Sequence, residues 1–282
     1  KLSNTPYEEE AIRHCTSQHL FPYLGKANSP TIVALGACAT KALAGYDARK
    51  PWKHQDWHGT VVLYSNDSTR SVIPTFAPSA LVAGKQDLTG ALIFDFRIAQ
   101  EVADGRYVRD TPRLTIDPEV EVFESWVTDT ILNYLEVSVD IETTDKRGTN
   151  EDETEESGAG ITRINFARDT REGLTVEWTS RYLPGIRRLL ASGLAKIFWH
   201  KGYDIPKLHK AGEVVNGEIH DAMLAWKVLR SALPMGLGFV APFYSTAGPW
   251  KHLNDTAFET YSAMDAVQTM RCWRGIGRDL AV

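Results

Sequence analysis

Apolar and polar residues alternate in short runs along the first part of the chain, and these runs predict strands separated by helices. The segment PTIVALG (30–36) predicts a buried strand, and ACATKALAG (37–45) predicts the helix that follows it. GTVVLYS (59–65) and RSVIPTFAP (70–78) predict a strand pair, and a glutamate-rich helix is expected before them over 4–24. Strand–helix–strand order with a glycine at the strand end indicates an α/β layer structure.

The pattern changes near residue 125, so we expect a second domain from there, with 87–121 as a connection that contains a helical piece. The acidic, glycine-ended run 145–160 is typical of a solvated loop between two strands. Three adjacent strands are expected around this loop and a fourth after an amphipathic helix over 182–193; they are YLEVSVDIETT, ITRINFA, GLTVEW and AKIFWH. Beyond Asp204 the chain reads as mostly helical.

Two acidic residues lie close together in the first strand of this second part. Val137, Val139 and Ile141 alternate with Asp140 and Glu142. Side chains at i and i+2 of a strand point to the same face, so the two carboxylates project together while the apolar residues point into a core. Like charges so placed repel each other unless a cation lies between them.

Further candidate ligands occur downstream. Asp204 comes just after a buried strand, at the start of a helix, and Tyr261 and Asp265 are spaced i and i+4 on one helix face. Together with Asp140 and Glu142 they predict a site with oxygen ligands, which select Mg²⁺ or Mn²⁺ over zinc. Two such ions about 4 Å apart clamp the attacking and leaving oxygens of an in-line phosphoryl displacement.

The order of these motifs resembles the DEDD exonuclease superfamily. D-x-E on a first strand, an Asp after a later strand and Y-x-x-x-D on a late helix are similar to the three motifs of its tyrosine subtype, nearest the proofreading 3′–5′ exonuclease domain of family A DNA polymerases. The resemblance covers roughly 134–273 and includes FWHKGYDIPKL and IHDAMLAWKVL. It implies a ribonuclease H-like domain that hydrolyses phosphodiesters with two metal ions.

The same resemblance implies a role for each motif residue. Asp140 would bridge two Mg²⁺ or Mn²⁺ ions, Glu142 and Asp265 would complete the shell of the first ion, and Asp204 would hold the second through water. Tyr261 would orient the attacking water. His200 stands where the family usually has Asn, so altered substrate contacts are expected there. The candidates for substrate binding are Thr143, His200, Trp250 and Lys251.

Each of these residues also has an ordinary structural interpretation. A lone D-x-E is often a surface pair, and Asp204 could be a helix N-cap. Tyr261 and Asp265 could belong to an exposed helix face. Asp221 either caps the helix AMLAWKVL or lines the site. The segment around Trp250 either contacts a nucleic acid strand or anchors a loop.

The first domain resembles the uracil-DNA glycosylase superfamily, nearest the bacterial and phage types with an iron–sulfur cluster. KANSPTIVALGACATKAL and VIPTFAPSAL carry the match, which covers about 4–81. The family's H-P-S-x-L histidine, which donates a hydrogen bond as charge develops on uracil, is replaced by Ala77, followed by Pro78 and Ser79. Cys15 lies near one family cysteine without its partners, so no iron–sulfur cluster is expected. Pro78 and Ser79 either contact DNA backbone or form a structural turn.

Composition narrows the possible partners and the compartment. The chain has 282 residues and a net charge of −5, which argues against general basic binding of nucleic acid but not against binding through metal ions. Three widely spaced cysteines indicate a reducing compartment. We expect no membrane segment and no signal peptide. The first residue is Lys, so residues are expected in front of it. The expected location is the cytoplasm of a bacterium or a phage-infected host.

Together these observations predict an α/β protein of two domains. Residues 1–125 would form a degenerate uracil-DNA glycosylase-like α/β/α domain with its connector, and 126–282 a ribonuclease H-like mixed sheet with helices. The expected function is metal-dependent 3′–5′ exonuclease activity on single-stranded DNA or 3′ ends, as a stand-alone nuclease or beside a separate DNA polymerase. The alternatives are a DNA-binding module with little catalysis, or a glycosylase that uses other residues. RNA as substrate stays open.

Overall fold

The chain divides into two compact units, each with its own sheet. The computed structural model describes residues 7–27, 29–44, 53–144 and 160–281. The first unit comprises Lys1–Arg109 with Thr246–Pro249, and the second comprises Asp110–Ser245 with Trp250–Val282. The division falls before the boundary expected near residue 125. Its cause is a strand within the expected connection, which pairs into the sheet of the second unit.

The first unit contains a three-stranded sheet in the order β1-β3-β2. β1 runs parallel to β3, and β2 runs antiparallel to it. The elements are α1 (Glu8–Cys15), α2 (Phe21–Lys26), β1 (Thr31–Leu35), α3 (Ala37–Ala44), β2 (Val62–Tyr64), β3 (Asp67–Thr75), α4 (Pro78–Val82) and α5 (Thr89–Ala103). A π-helical segment joins α1 to α2, so the predicted N-terminal helix is nearly continuous over the described residues.

β1 was predicted to be buried, but of its five residues Ala34 alone is fully buried. The reason is its place at the edge of the sheet, which leaves it less covered than the central β3. Gly36 follows β1 with φ +89°, a left-handed conformation that favours glycine. A Cβ atom there would lie 3.1 Å from the Cβ of Ala77. The segments that follow β1 and β3 therefore meet at the carboxyl ends of these two parallel strands.

The second unit contains a six-stranded mixed sheet in the order β4-β7-β6-β5-β8-β9. Its strands are β4 (Arg113–Ile116), β5 (Glu136–Thr143), β6 (Ile161–Ala167), β7 (Glu172–Glu177), β8 (Ala195–Phe198) and β9 (Ile219–Asp221). β5, β6 and β7 are neighbours, as predicted, and β6 is antiparallel to both of them. β8 and β9 continue the sheet in parallel with β5. The acidic run predicted to be a loop lies mostly outside the described residues.

Helices cover both faces of this sheet. They are α6 (Val120–Asn133), α7 (Leu183–Leu190), α8 (Lys201–Lys210), α9 (Ala222–Leu229), α10 (Leu237–Val240) and α11 (Phe258–Leu280). The chain after Asp204 is mostly helical, as predicted, although the short strand β9 was not foreseen. Within the described ranges, no helix combines the length and the apolar character that crossing a membrane requires.

The alternation in β5 separates the core from the polar face. Val137, Val139 and Ile141 are buried in the main core of the second unit, together with Ile164 of β6. The intervening side chains point to the opposite face, where Ser138 Oγ donates a hydrogen bond to the backbone oxygen of Ala266 in α11 at 2.8 Å. The polar face of β5 is therefore the face that α11 covers.

A glycine allows α11 to approach the sheet closely. A Cβ atom on Gly173 of β7 would lie 2.6 Å from Cγ2 of Val267 and 2.8 Å from the backbone oxygen of Ala263. Real Cβ atoms essentially never have contacts below 3.0 Å. The small residue thus lets the helix backbone lie against the strands, and this packing carries Asp265, on the same helix, towards the polar face of β5.

Candidate metal centre

Three carboxylates from two elements converge on the polar face of the sheet in the second unit. One ligand oxygen each from Asp140, Glu142 and Asp265 lies within 4.8 Å of the others. Asp265 is buried and the other two are half-buried. The period of the strand places Asp140 and Glu142 side by side, and α11 adds Asp265 from a part of the chain more than a hundred residues later.

Asp204 lies beside this cluster. It is buried in the first turn of α8, and its Oδ1 accepts a hydrogen bond from the backbone N–H of Ile141 at 3.3 Å. Burial raises the pKa of Asp204 well above its ordinary value, and the neighbouring charge of Asp140 raises it further. The N-cap residue of α8 is His200, so Asp204 does not cap that helix.

The electrostatics of the cluster favour a bound cation. Burial raises the pKa of Glu142 to about 9, with further contributions from the charges of Asp140 and Asp265. Positive charge beside Glu142 would favour its ionised form. One oxygen from each of the three lies within 4.8 Å of the others, and oxygen is the donor that Mg²⁺ and Mn²⁺ prefer. The residues present therefore fit a divalent ion of this class.

A row of polar side chains holds Asp140 in place. Asn165, opposite Asp140 in the register of β5 and β6, donates from Nδ2 to Asp140 Oδ2 at 2.8 Å. Thr175 on β7 donates to Asn165 Oδ1 at 2.6 Å and accepts from Arg163 Nε at 3.1 Å. The guanidinium of Arg163 reaches both carboxylate oxygens of Asp117 at 2.8 Å. Sequence reasoning missed this row, although its polar positions alternate with apolar ones along the predicted strands.

Asp265 is held by a tryptophan and a lysine. Trp250 Nε1 donates to Oδ1 at 2.5 Å, and the Lys251 ammonium lies 2.8 Å from Oδ1 and 2.6 Å from Oδ2. Trp250 is only 2 % exposed, so it is a buried loop anchor, one of the two alternatives considered. Tyr261, one turn before Asp265, has its ring centroid 4.9 Å from the Lys251 ammonium.

The remaining candidates for substrate contacts lie near the ends of β5 and β8. Thr143 Oγ1 is hydrogen-bonded to the hydroxyl of Tyr203 at 2.8 Å, a partner that sequence reasoning missed. His200 is exposed at the start of α8. The structure thus leaves His200 open to solvent and ties Thr143 to α8.

Asp221 has a capping role. Its Oδ1 accepts from the backbone N–H of Leu224 at 2.9 Å, which makes it the N-cap of α9, and its Oδ2 accepts from the backbone N–H of Lys201 at 3.1 Å. The helix cap considered from the sequence is therefore present. Asp221 also contributes to the raised pKa of Asp204, as the smallest of several causes.

The residues expected to form a degenerate glycosylase motif lie at the start of a helix. Ala77 is the N-cap residue of α4, without a side-chain cap, and Pro78 is at the first helical position. Pro78 and Ser79 are exposed. Cys15 and Cys38 are exposed free cysteines of this unit, and Cys272 is buried in the other. A buried group that the sequence did not reveal is His58, whose Nδ1 lies 2.9 Å from Asp95 Oδ1.

Comparison with known proteins finds no family model and no curated protein that matches the chain. Among solved structures, the chain is similar to the catalytic core of RRP6 from Trypanosoma brucei, with 19 % identity, 62 % of this chain and 50 % of that chain covered, and a TM-score of 0.46. It is similar to the POL domain of Pol1 from M. smegmatis in complex with DNA primer-template and dNTP, with 16 % identity and a TM-score of 0.45. The match covers 60 % of this chain and 28 % of that chain. It is also similar to Brucella melitensis NrnC with bound Mg²⁺, with 14 % identity, coverage of 61 % and 82 %, and a TM-score of 0.40.

The chain spans about half the length of the RRP6 catalytic core. With so few identical residues and TM-scores of at most 0.46, these likenesses establish neither the fold nor the activity of this chain.

Proposed function

We propose that the second unit is a divalent-metal-dependent 3′–5′ exonuclease that acts on DNA and releases nucleoside 5′-monophosphates. The observation that carries the proposal is the meeting of Asp140, Glu142 and Asp265 on one face of a mixed sheet, with Asp204 beside them. These are the carboxylates of the D-x-E, Asp and Y-x-x-x-D motifs, in the order of the tyrosine-type DEDD exonucleases. The mixed sheet with helices on both faces supports a ribonuclease H-like fold.

The resemblance to the tyrosine-type DEDD exonucleases implies the roles of the protein groups. Two Mg²⁺ or Mn²⁺ ions, when bound, supply Lewis acidity and neutralise charge on the phosphodiester. Asp140, Glu142 and Asp265 would hold one ion, and Asp204, which lies beside them, would help to hold the other. Asn165 keeps the carboxylate of Asp140 oriented. Tyr261 would orient the attacking water, and no side chain would form a covalent intermediate.

Substrate binding is assigned to residues around the carboxylates. Thr143, at the end of β5, and His200, exposed at the start of α8, would contact the terminal nucleotide of a DNA 3′ end. Trp250 is buried, so its contribution is to place Asp265 rather than to stack on a base. Lys251 would contact phosphate in addition to its contact with Asp265.

The first unit is proposed to bind DNA without excising uracil. Ala77 stands where the glycosylase family has its histidine, and an alanine side chain cannot donate a hydrogen bond to the uracil oxygen. Pro78 and Ser79 remain exposed and available to DNA backbone. In this proposal the protein works at DNA 3′ ends, alone or with a separate DNA polymerase.

A time course on 5′-labelled DNA tests the proposal. Single-stranded and mismatched duplex DNA, incubated with Mg²⁺ or Mn²⁺, should give a ladder that shortens from the 3′ end and disappears with a chelator. The double variant Asp140→Ala/Glu142→Ala should lose this activity while its circular dichroism spectrum stays unchanged. Full activity in the folded double variant would refute the proposal, and binding of DNA without degradation would favour the binding-module alternative.

A further inference from the structure

The ammonium group of Lys251 contacts carboxylate oxygens of Asp265 that a divalent ion would need as ligands. Its Nζ is 2.6 Å from Oδ2 and 2.8 Å from Oδ1 of Asp265, so it contacts both oxygens of one of the three clustered carboxylates. The Lys251 side chain is 23 % exposed and that of Asp265 is 7 % exposed. This ion pair is therefore mostly withdrawn from water.

Asp265 has little coordination capacity left while Lys251 is in place. A carboxylate offers about four lone-pair positions. Oδ1 accepts from both Trp250 Nε1 and Lys251, and Oδ2 accepts from Lys251. An ion bound to Oδ2 at about 2 Å would lie within about 5 Å of the ammonium. Two positive centres at that distance repel each other, and the repulsion is only weakly screened where water is excluded.

Neighbouring rings keep the ammonium near the cluster. The Lys251 Nζ is 4.9 Å from the ring centroid of Tyr261 and 5.5 Å from that of Trp250, distances at which aromatic faces attract a cation. The lysine also begins a short 3₁₀ turn, Lys251–Asp255, that directly precedes α11. Its position is thus determined by the loop and by two rings as well as by the charge of Asp265.

We infer that Lys251 is an internal counterion that competes with the divalent ion for Asp265. Without metal it neutralises part of the repulsion among the carboxylates, and it gives up Asp265 Oδ2 when an ion enters. The consequence is a site that is preformed but binds its ion less tightly than the carboxylates alone would. The inference rests on the proposed metal-binding function of the same cluster.

Titration with Mn²⁺, followed by the electron paramagnetic resonance signal of the free ion, tests this competition without measuring nuclease activity. Lys251→Met keeps the length of the side chain and removes its charge, so we expect its Kd for Mn²⁺ to be at least ~5-fold lower than that of the wild type. Lys251→Arg should stay close to the wild type. Lys207→Met is the matched control, because Lys207 likewise lies over a tyrosine ring, that of Tyr203 at 5.0 Å. We expect its Kd to change less than ~2-fold.

The outcomes distinguish failure of the competition by Lys251 from failure of the proposed metal site. Equal or weaker Mn²⁺ binding by folded Lys251→Met, with normal binding by the wild type, overturns the competition and leaves the proposed function standing. Absence of Mn²⁺ binding in the wild type overturns both. Equal affinity of the wild type and Asp140→Ala/Glu142→Ala also overturns both, because the ion would then bind elsewhere.

A second measurement uses the wild-type lysine itself. Reductive ¹³C-methylation labels the lysine ammonium groups, and the Lys251 resonance is assigned by its absence from Lys251→Arg. Addition of Mg²⁺ should shift this resonance and saturate with the same Kd as ion binding. A resonance that does not move while Mg²⁺ binds would overturn the inference, even if Lys251→Met failed to fold.

Discussion

Asn165 on β6 donates its side-chain amide to Oδ2 of Asp140, which lies directly opposite on β5, at 2.8 Å. Because Asn165 is itself held by Thr175, and Thr175 by Arg163, side chains from β6 and β7 together support the orientation of Asp140. Such outer-shell bonds tune the affinity of metal sites.

Asn165→Ala is expected to weaken binding of Mn²⁺ by about 10- to 100-fold, because Asp140 loses the group that orients it. Isothermal titration calorimetry measures the change. Ser138→Ala is the matched control: it removes a buried hydroxyl of β5, whose proton is shared between the backbone oxygens of Ala167 and Ala266, without touching the carboxylates. It should lower stability while metal affinity stays unchanged. Equal losses of affinity in both variants would contradict the positioning role of Asn165.

The raised pKa of Glu142 predicts a pH dependence of stability in the metal-free protein. Its pKa rises from 4.5 to about 9 on folding, so between these values the unfolded chain is ionised and the folded chain is protonated. Stability contributed by this group is therefore lost as pH rises, with a slope of at most about 1.4 kcal/mol per pH unit. In urea unfolding with chelator, the free energy of unfolding of Glu142→Gln should fall less steeply from pH 5 to pH 9 than that of the wild type. Parallel curves for the variant and the wild type would show that Glu142 ionises normally.

Asp221→Ala is expected to cost about 1–2 kcal/mol of unfolding free energy, because α9 loses its N-cap and the backbone N–H of Lys201 loses its acceptor. Asp221→Asn keeps one oxygen and should recover part of the loss. Urea unfolding measures both variants. Mn²⁺ affinity should stay unchanged in each, and a large loss of affinity would instead assign Asp221 to the site.

Gly36→Ala is expected to destabilise the first unit by more than about 1–2 kcal/mol, the cost of placing an L-residue in the left-handed region. The destabilisation beyond this backbone cost comes from crowding, because the new Cβ would lie 3.1 Å from that of Ala77. Gly84→Ala is the control, since its φ of +105° is also left-handed but nothing lies within 4 Å of its Cβ position. Adding Ala77→Gly to Gly36→Ala should remove the destabilisation caused by crowding, but not the cost of the left-handed backbone. Equal thermal shifts for the two single variants would exclude the crowding.

Much of the local architecture could be predicted from hydrophobic patterning. β5, β6, β7 and β8 and the helix after β7 follow directly from the period of apolar residues, because those periods report which side of an element is covered. β4 was missed and assigned to a connection, since its four residues form a strand by pairing with β7, which lies far along the chain. Because β4 belongs to the second sheet, the second unit begins at Asp110, before the position near residue 125 expected from the sequence.

The sequence by itself determined which carboxylates share a face: the period of a strand sets Asp140 beside Glu142, and helical spacing sets Tyr261 one turn from Asp265. Only the tertiary structure decided what meets them. The register of β6 against β5 brings the amide of Asn165 to Asp140, and the turn before α11 brings the ammonium of Lys251 to Asp265. The reason is physical: local periodicity depends on backbone geometry within a few residues, whereas these partners are selected by strand register and by the packing of distant segments.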